Sequence, residues 1–169
     1  MAGNVEFQDF SFEVKTELNS TSIAWLYETA EEVKSNAQRN CKLEDDAGKR
    51  LKGSYAAKVD EGKGEAAVGT PLEEGYWEEW GTGSYAAHGD GRKGWWIYTP
   101  GQPHMGGGQT YHDEMEAMMM AAFIQAKYGK KAYVTNGRRP SYTLENAFGT
   151  VKNPSIDRLA KLLKERMGT

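Results

Sequence analysis

Two neighbouring carboxylates among tryptophans are the residues of this chain that are best suited to chemistry. Glu78 and Glu79 lie in residues 75–83, which read GYWEEWGTG. A glycosidase uses two carboxyl groups about 5–9 Å apart, on opposite sides of the bond that it cleaves. We expect residues 76–80 to form a strand, in which successive side chains point to opposite faces. Glu78 and Glu79 would then not share a cleft, so the pattern favours a structural corner. The alternative is an enzyme acting on polysaccharide or peptidoglycan through Glu78, Glu79 and the neighbouring tryptophans.

A glycine-rich loop at residues 89–94 matches the dinucleotide-binding pattern GxGxxG. That pattern binds a pyrophosphate where it follows a strand and begins a helix, whose N–H groups face the phosphates. Here it leads into WWIYT at residues 95–99, which is typical of a strand. We therefore interpret residues 89–94 as a solvated loop and expect no cofactor.

The remaining candidate ligands are too scattered for a metal site. No two histidines have the HxH or HxxxH spacing that holds zinc on a rigid element, so we expect no metal. The histidines and the aspartates closest to them are His88, His104, His112, Asp90 and Asp113. The single cysteine, Cys41, excludes an internal disulfide, and it has no neighbouring histidine to activate it as a nucleophile.

Length and composition limit the function classes further. The 169 residues include 38% hydrophobic residues and carry a net charge of −3. We expect one domain spanning residues 1–169, because a chain of this length buries a core without cross-links. It contains no run approaching the ~20 apolar residues of a membrane span. Lys and Arg are interspersed with acidic residues, which disfavours tight DNA binding.

The order of elements predicts an α+β fold, with an antiparallel sheet packed by an N-terminal helix and a C-terminal helix, and an extra helix near residues 111–128. Residues 4–15 alternate as an extended segment with a bulge. Further strands are expected at residues 54–60, 65–70, 76–80, 95–99 and, as strand or turn, 131–137.

The N-terminal helix is expected to begin at Ser20 or Thr21, whose hydroxyls suit an N-cap, and to end at Asn40. Its apolar positions are three and four residues apart, which places them on one stripe. They are Ile23, Leu26, Ala30, Val33 and Ala37.

The extra helix is expected to begin at Thr110 or Asp113 and to end at Gly129. Its expected apolar stripe consists of Met115, Met119, Ala122 and Ala126. We interpret the methionines at residues 118–120 as a packing surface, because flexible thioethers suit irregular contacts, including contacts between subunits.

The C-terminal helix is expected to follow a single turn near residues 143–148. Asn153 would be its cap, Pro154 its first residue and Gly168 its end. Its expected apolar stripe consists of Ile156, Leu159, Ala160, Leu163 and Met167.

Three stretches of the chain carry a family resemblance. Residues 68–83, VGTPLEEGYWEEWGTG, end in Glu-aromatic-Gly-Thr-Gly after an expected strand. Residues 46–54 read DAGKRLKGS, and residues 136–148 read NGRRPSYTLENAF. In their order along the chain, 46–54, 68–83 and 136–148, the three stretches resemble the small neck, or tail-completion, proteins of long-tailed bacteriophages. Glu78 stands where that family commonly has an aliphatic residue, and Ala47 where threonine is usual.

The resemblance implies a structural role without catalysis, as a homo-oligomeric ring at the head–tail junction of a virion. Its partners would be head-completion proteins and tail-terminator or tail-tube proteins, and DNA would pass through the ring without sequence-specific binding. The chain would be assembled in the host cytoplasm and would contact no membrane. The residues expected to hold the corner or the subunit contacts are Tyr76, Trp77, Glu79, Trp80, Gly81, Thr82, Gly83, Trp95, Trp96, Arg139 and Pro140.

Backbone conformation at the corner can also be predicted. Gly81 and Gly83 are expected to take positive φ and to turn the chain sharply. The Thr82 hydroxyl is expected to bond nearby backbone. Glu79 is expected to accept N–H groups there or to pair with one of the arginines at residues 138–139.

Two long loops, residues 81–94 and 100–110, hold nine glycines. Glycine loses more conformational freedom on ordering than any other residue. We therefore expect both loops to be mobile in the free protein and to become ordered against a neighbouring subunit.

Overall fold

A computed structural model describes residues 11–43, 46–100 and 108–168, with side chains from residue 19 onward. Its elements confirm the α+β class: the described residues form five α-helices and two small antiparallel sheets of two strands each. The contacts divide the chain into two compact units, one of residues 1–71 with 143–169 and one of residues 72–142. Whether residues 1–169 fold together as one domain is not decided by this division, so the single domain stays a prediction.

The N-terminal helix, α1, is longer than expected and spans Ser11–Asn40. Its predicted stripe is confirmed: Ala30, Val33 and Ala37 are buried. The predicted start at Ser20 or Thr21 is wrong, because a hydroxyl caps a helix only where the backbone before it leaves the helix, and here the backbone is already helical. The expected extended segment is likewise helical over residues 11–15, and its residues 4–10 lie outside the described part.

A short helix and a hairpin follow α1 in the same unit. Helix α2 spans Asp46–Ser54 and buries Leu51 completely. Strands β1 (Ala56–Asp60) and β2 (Glu65–Gly69) pair antiparallel, from Ala56 opposite Gly69 to Asp60 opposite Glu65. This hairpin confirms the expected strands on either side of residues 61–64. Helix α1 packs against both strands.

The C-terminal helix is one continuous element, which we number α5 in chain order, spanning Thr143–Met167 and packing against α1. The predicted break before Asn153 is wrong, because Pro154 lies inside the helix, where its ring removes one backbone donor without ending the element. The predicted stripe is also wrong in part, since Ile156 and Met167 are exposed. The residues that α5 buries recur every four positions: Thr143, Ala147, Val151 and Ser155.

The second unit begins with helix α3, Glu73–Trp80, so the predicted strand at residues 76–80 is wrong. Aromatic residues favour strands only weakly, and context overrides that preference. Strands β3 (Trp96–Tyr98) and β4 (Tyr133–Thr135) form its small sheet, with Trp96 opposite Thr135. The core of the unit consists of Ile97, Tyr111, Ala117, Ala121, Ile124 and Ala132.

Helix α4, Glu114–Tyr128, has the predicted ends. The Asp113 carboxylate accepts a hydrogen bond of 2.8 Å from Met115 N, and Gly129 follows in the left-handed conformation. The predicted stripe does not face the core. Helix α4 instead buries Ala117, Ala121 and Ile124, and leaves the stripe that begins at Met115 exposed.

The described helices include none that is both long enough and apolar enough to cross a bilayer.

Candidate functional site

The Glu-Trp-Gly-Thr-Gly stretch lies where the end of α3 meets the segment after β4. We call residues 78–84 and 136–142 the corner. Thr82 N donates to Arg138 O over 2.8 Å, Ser84 N donates to Asn136 O over 2.9 Å, and Ser141 N donates to Glu78 O over 2.8 Å. These bonds join segments more than fifty residues apart, so the corner closes the unit of residues 72–142.

Thr82 makes the predicted bond to backbone, but over a long range. Arg138 N donates to the Thr82 hydroxyl oxygen at 3.0 Å and to the Thr82 carbonyl oxygen at 3.3 Å. One amide is therefore shared by two acceptors of the same residue. Any residue without a β-hydroxyl at position 82 would leave only the longer of these two bonds.

Gly81 and Gly83 confirm the prediction of positive φ, with values of 73° and 61°. Gly81 ends α3, and its N–H donates to Trp77 O at 2.9 Å. A Cβ added to Gly81 would lie 2.6 Å from Arg138 O and 2.8 Å from Pro140 N. Glycine is therefore required at position 81 both by conformation and by space.

Gly83 and Gly137 face each other across the corner. A Cβ at Gly83 would overlap Asn136 O and the edge of the Trp96 ring, and one at Gly137 would overlap Thr82 O. Gly137 also has a positive φ, of 129°. The two backbones thus approach to a distance that no other residue allows.

A buried ion pair lies behind these backbone bonds. The Arg138 guanidinium is 2.6 Å from the Glu78 carboxylate, which has no exposed surface, whereas the Arg138 side chain is 37% exposed. The structure pairs Arg138 with Glu78. The expectation that Glu79 accepts N–H groups at the corner or pairs with one of the arginines at residues 138–139 stays a prediction. Arg139 lies over the Tyr85 ring, 5.2 Å from its centroid.

The two carboxylates of the opening motif are both buried, Glu78 fully and Glu79 to 6% exposure. Because residues 73–80 are helical, their side chains diverge by about 100° and do not point to opposite faces as in a strand. The predicted strand geometry does not exclude a shared cleft for the two carboxylates; their burial does. A substrate cannot reach a carboxylate that is fully enclosed and ion-paired.

The predicted contact aromatics fall into two groups. Tyr76 and Trp77 on α3 are exposed, at 50% and 43%. The other three tryptophans are partly buried within their own unit. The Trp80 and His88 rings are tilted against each other with centroids 4.7 Å apart. Trp95 packs on the core, and the centroid of the Trp96 ring is 5.2 Å from the Arg92 guanidinium.

The glycine-rich loop at residues 89–94 leads into strand β3, as predicted, and not into a helix. Gly91 packs directly on Gly83 O and Ala86 Cβ, and Arg92 Nε donates to the Thr110 hydroxyl at 2.7 Å. Its predicted mobility in the free protein stays a prediction, and residues 101–107 of the second loop lie outside the described part.

Within the described residues, no three His, Cys, Asp or Glu side chains cluster as metal ligands would. His88 lies against Trp80 and His112 is exposed, while His104 falls outside the described ranges.

Sequence reasoning missed the role of Glu78 and of Gly137. Nothing local in GYWEEWGTG marks Glu78 as one partner of an enclosed ion pair. Gly137 precedes two arginines and a proline in NGRRP, and nothing local shows that it faces Gly83.

Comparison of the chain with protein-family models, with curated proteins and with solved structures found no match.

Proposed function

We propose that the chain is a structural protein of the neck of a tailed bacteriophage, where copies of it form a ring that joins tail to head around the DNA conduit. Its neighbours would be head-completion proteins on one side and tail-terminator or tail-tube proteins on the other. The particle neck would be its final location, after assembly in the host cytoplasm.

The observation that carries this proposal is the construction of the corner. The residues shared with the neck-protein signature are used to close the fold: Gly81 and Gly83 permit the close approach, and Thr82 binds Arg138 N. These three residues thus serve the close approach of the two segments and its hydrogen bonds. A motif with this purely architectural use supports a structural protein more than a catalyst.

The outer face of α3 supports the assembly part of the proposal. Tyr76 and Trp77 expose large aromatic surfaces immediately beside the rigid corner. Large aromatics dominate the centres of protein interfaces, and they bind best when the backbone that carries them is fixed. We infer that α3 presents these two rings to a neighbouring subunit.

The enzyme alternative is disfavoured by the same geometry. It requires Glu78 and Glu79 to reach a substrate, and Glu78 is enclosed against Arg138. A catalytic acid is normally placed in a concave site open to its substrate. No observation on the described residues favours a polysaccharide-acting site.

The direct test is to locate the chain in particles produced by the genome that encodes it. An affinity tag at the C-terminus, labelled with gold and viewed by electron microscopy, should mark the head–tail junction. Interruption of the gene should give filled heads and separate tails. Complete tailed particles that lack the chain would refute the proposal.

A second experiment tests whether the exposed face of α3 is needed for assembly and not for folding. The double variant Tyr76→Ser, Trp77→Ser should fold with unchanged circular dichroism, yet fail to join tails to heads in a complementation assay. Tyr98→Ser is the matched control, because Tyr98 is equally exposed but lies on β3 rather than α3. Normal joining by the α3 variant would contradict the role of this face.

A further inference from the structure

Helix α4 carries an apolar face that its own unit leaves uncovered. Met115, Met119, Ala122 and Ala126 follow one another at spacings of four, three and four residues, on the side opposite the buried Ala117, Ala121 and Ile124. Met115 and Met119 are 62% and 63% exposed. This spacing is that of a two-heptad coiled-coil seam. A helix that is apolar on both sides is typical of one that is covered on both sides.

We propose that this face pairs with the same face of a second copy of the chain, with the two α4 helices antiparallel. The pairing is a property of the free chain and does not rest on the proposed neck function. A two-fold contact closes at two copies, whereas a ring needs a different, head-to-tail contact.

The sizes of the four side chains point to an antiparallel partner. The N-terminal half of the stripe has two long methionines and the C-terminal half has two alanines. About a two-fold axis midway along the stripe, Met115 lies over Ala126 of the partner subunit and Met119 over Ala122 of the partner subunit. Each flexible thioether then fills the space above a small residue, as close helix packing requires.

The charges at the two ends of α4 also favour an antiparallel partner. Glu114 and Glu116 lie in its first turn, while Lys127 lies in its last turn and Lys130 and Lys131 follow it. The antiparallel register brings the acidic first turn of one α4 to the level of the basic last turn of its partner, and it also opposes the two helix dipoles favourably. A parallel register would bring carboxylates together at one end and ammonium groups together at the other. Lys127 lies over the Phe123 and Tyr128 rings, 5.2 Å and 5.4 Å from their centroids, which holds its charge at the helix surface.

The expected affinity is modest. Fifteen helical residues extend about 22 Å, so the contact is smaller than a standard protein–protein interface. We therefore expect dimers with a micromolar dissociation constant, in rapid exchange with monomers.

Sedimentation of purified protein at increasing concentration tests the pairing. Wild-type protein should shift from monomer to dimer, and Ala122→Glu should weaken the dimer at least about tenfold, because it desolvates two like charges near the axis. Ala160→Glu, at an exposed alanine of α5, is the matched control and should dimerise as wild type does. A monomer at every concentration, or a self-association that Ala122→Glu leaves unchanged, would overturn the proposal.

Cysteine cross-linking tests the direction. In a Cys41→Ala background, Met115→Cys and Ala126→Cys are prepared as separate proteins. In the antiparallel register each cysteine is about 16 Å along the axis from its own copy, too far for a disulfide. Under mild oxidation a mixture should form the mixed disulfide, and each protein alone should not. A disulfide between two Met115→Cys chains, or no mixed disulfide, would overturn the antiparallel pairing.

Charge reversal provides a rescue that a merely structural effect would not give. Glu114→Lys, Glu116→Lys in one protein and Lys127→Glu, Lys130→Glu in another should each weaken self-association. Their equimolar mixture should restore dimers, now between the two different proteins, since opposite charges again meet at both ends. Failure of the mixture to associate while wild type does would contradict the charge pairing.

Discussion

In the unit built from α1, α2, α5 and the hairpin, two long helices bury small side chains against each other. In the unit of residues 72–142, a corner brings backbone against backbone. Helix α1 buries Ala30, Val33 and Ala37, and α5 buries residues such as Val151. The corner instead relies on glycines and on an enclosed ion pair, Glu78 with Arg138.

The two kinds of contact determine which substitutions each unit tolerates. A helix–helix seam tolerates side chains of similar volume, because small rotations and rotamer changes absorb the mismatch. Backbone atoms at the corner have no such freedom, since the hydrogen bonds of Thr82 and Ser84 fix their separation. Adding one carbon atom at the corner should therefore lower the free energy of unfolding more than removing one carbon atom between α1 and α5.

Gly83→Ala is expected to have the largest effect. Gly83 has a φ of 61°, and a Cβ there would overlap Asn136 O and the Trp96 ring. A left-handed alanine costs about 1–2 kcal/mol, and overpacking adds about 1–3 kcal/mol. We expect the free energy of unfolding to fall by about 2–5 kcal/mol, measured by urea denaturation with circular dichroism.

Gly64→Ala is the matched control in the other unit. Gly64 lies in the turn between β1 and β2 with a φ of 66°, and no atom lies within 4 Å of a Cβ placed there. Only the conformational cost applies, so the loss should be about 1–2 kcal/mol. Equal losses for the two alanines would show that the close approach at the corner contributes nothing.

The sequence allowed much of the helical unit to be predicted. Periodicity in α1 identified its buried stripe, and Glu61-Gly-Lys-Gly64 identified the hairpin turn. The continuity of α5 through Pro154 could not be predicted, because Asn153 and Pro154 together are typical of a helix start. Packing against α1 outweighs that local signal.

The corner was predictable in its glycines and not in its partners. A Gly-Thr-Gly stretch indicates positive φ, which Gly81 and Gly83 confirm. Glu78 and Arg138 are sixty positions apart, and a single sequence gives no signal for a contact between such distant residues. For α4, both faces are apolar, so periodicity alone could not distinguish the buried face from the exposed one.

Arg138→Met is expected to have the next largest effect. It leaves the Glu78 carboxylate buried without its cation, and breaking a fully buried pair typically costs about 3–5 kcal/mol. Because the Arg138 side chain is 37% exposed, solvent screening lowers the expected loss to about 1–3 kcal/mol. Urea denaturation of the variant measures it.

Arg158→Met in the helical unit is the comparison. Arg158 pairs with Glu32 over 2.5 Å, but both side chains are well exposed, so we expect a loss below about 1 kcal/mol. The double variant Glu78→Gln, Arg138→Met should recover part of the loss of Arg138→Met, since no charge is then left buried. A cost for Arg158→Met as large as that for Arg138→Met would contradict the distinction between enclosed and exposed pairs.

Trp25→Phe tests the hydrogen bond between the two long helices. Trp25 Nε1 on α1 donates to Ser155 O on α5 at 2.7 Å in a partly buried position. Phenylalanine keeps an aromatic ring and removes the donor, so the loss should be about 1 kcal/mol. Trp77→Phe, at an exposed ring of α3, is the control and should change the stability by less than about 0.5 kcal/mol. An unchanged free energy of unfolding in Trp25→Phe would show that packing alone holds α1 against α5.

The smallest expected effect concerns a surface pair of the helical unit, Tyr27 with Glu61. The Tyr27 hydroxyl donates to the Glu61 carboxylate at 2.9 Å. This hydrogen bond, and then the negative charge of Glu61, raise the pKa of Tyr27 above its ordinary value of 10.0. A raised pKa in the folded state means that the pair stabilises the fold below the ordinary tyrosine pKa, and that this contribution is lost as the pH rises through the folded value. Because the pair is exposed, added salt should weaken it.

Tyrosinate absorbance during an alkaline titration isolates this group, when the curve of Tyr27→Phe is subtracted from that of the wild type. In the Glu61→Gln variant the Tyr27 pKa should return toward its ordinary value, because the amide accepts the hydrogen bond without a charge that opposes tyrosinate. The unfolding midpoint in urea at neutral pH should scarcely move, in contrast to Arg138→Met at the corner, since an exposed pair contributes little to stability. An unchanged Tyr27 pKa in Glu61→Gln would show that the carboxylate does not hold the hydroxyl in solution. A loss of unfolding free energy in Glu61→Gln as large as that in Arg138→Met would show that the exposed pair matters as much as the enclosed pair, which would contradict the distinction between the two units.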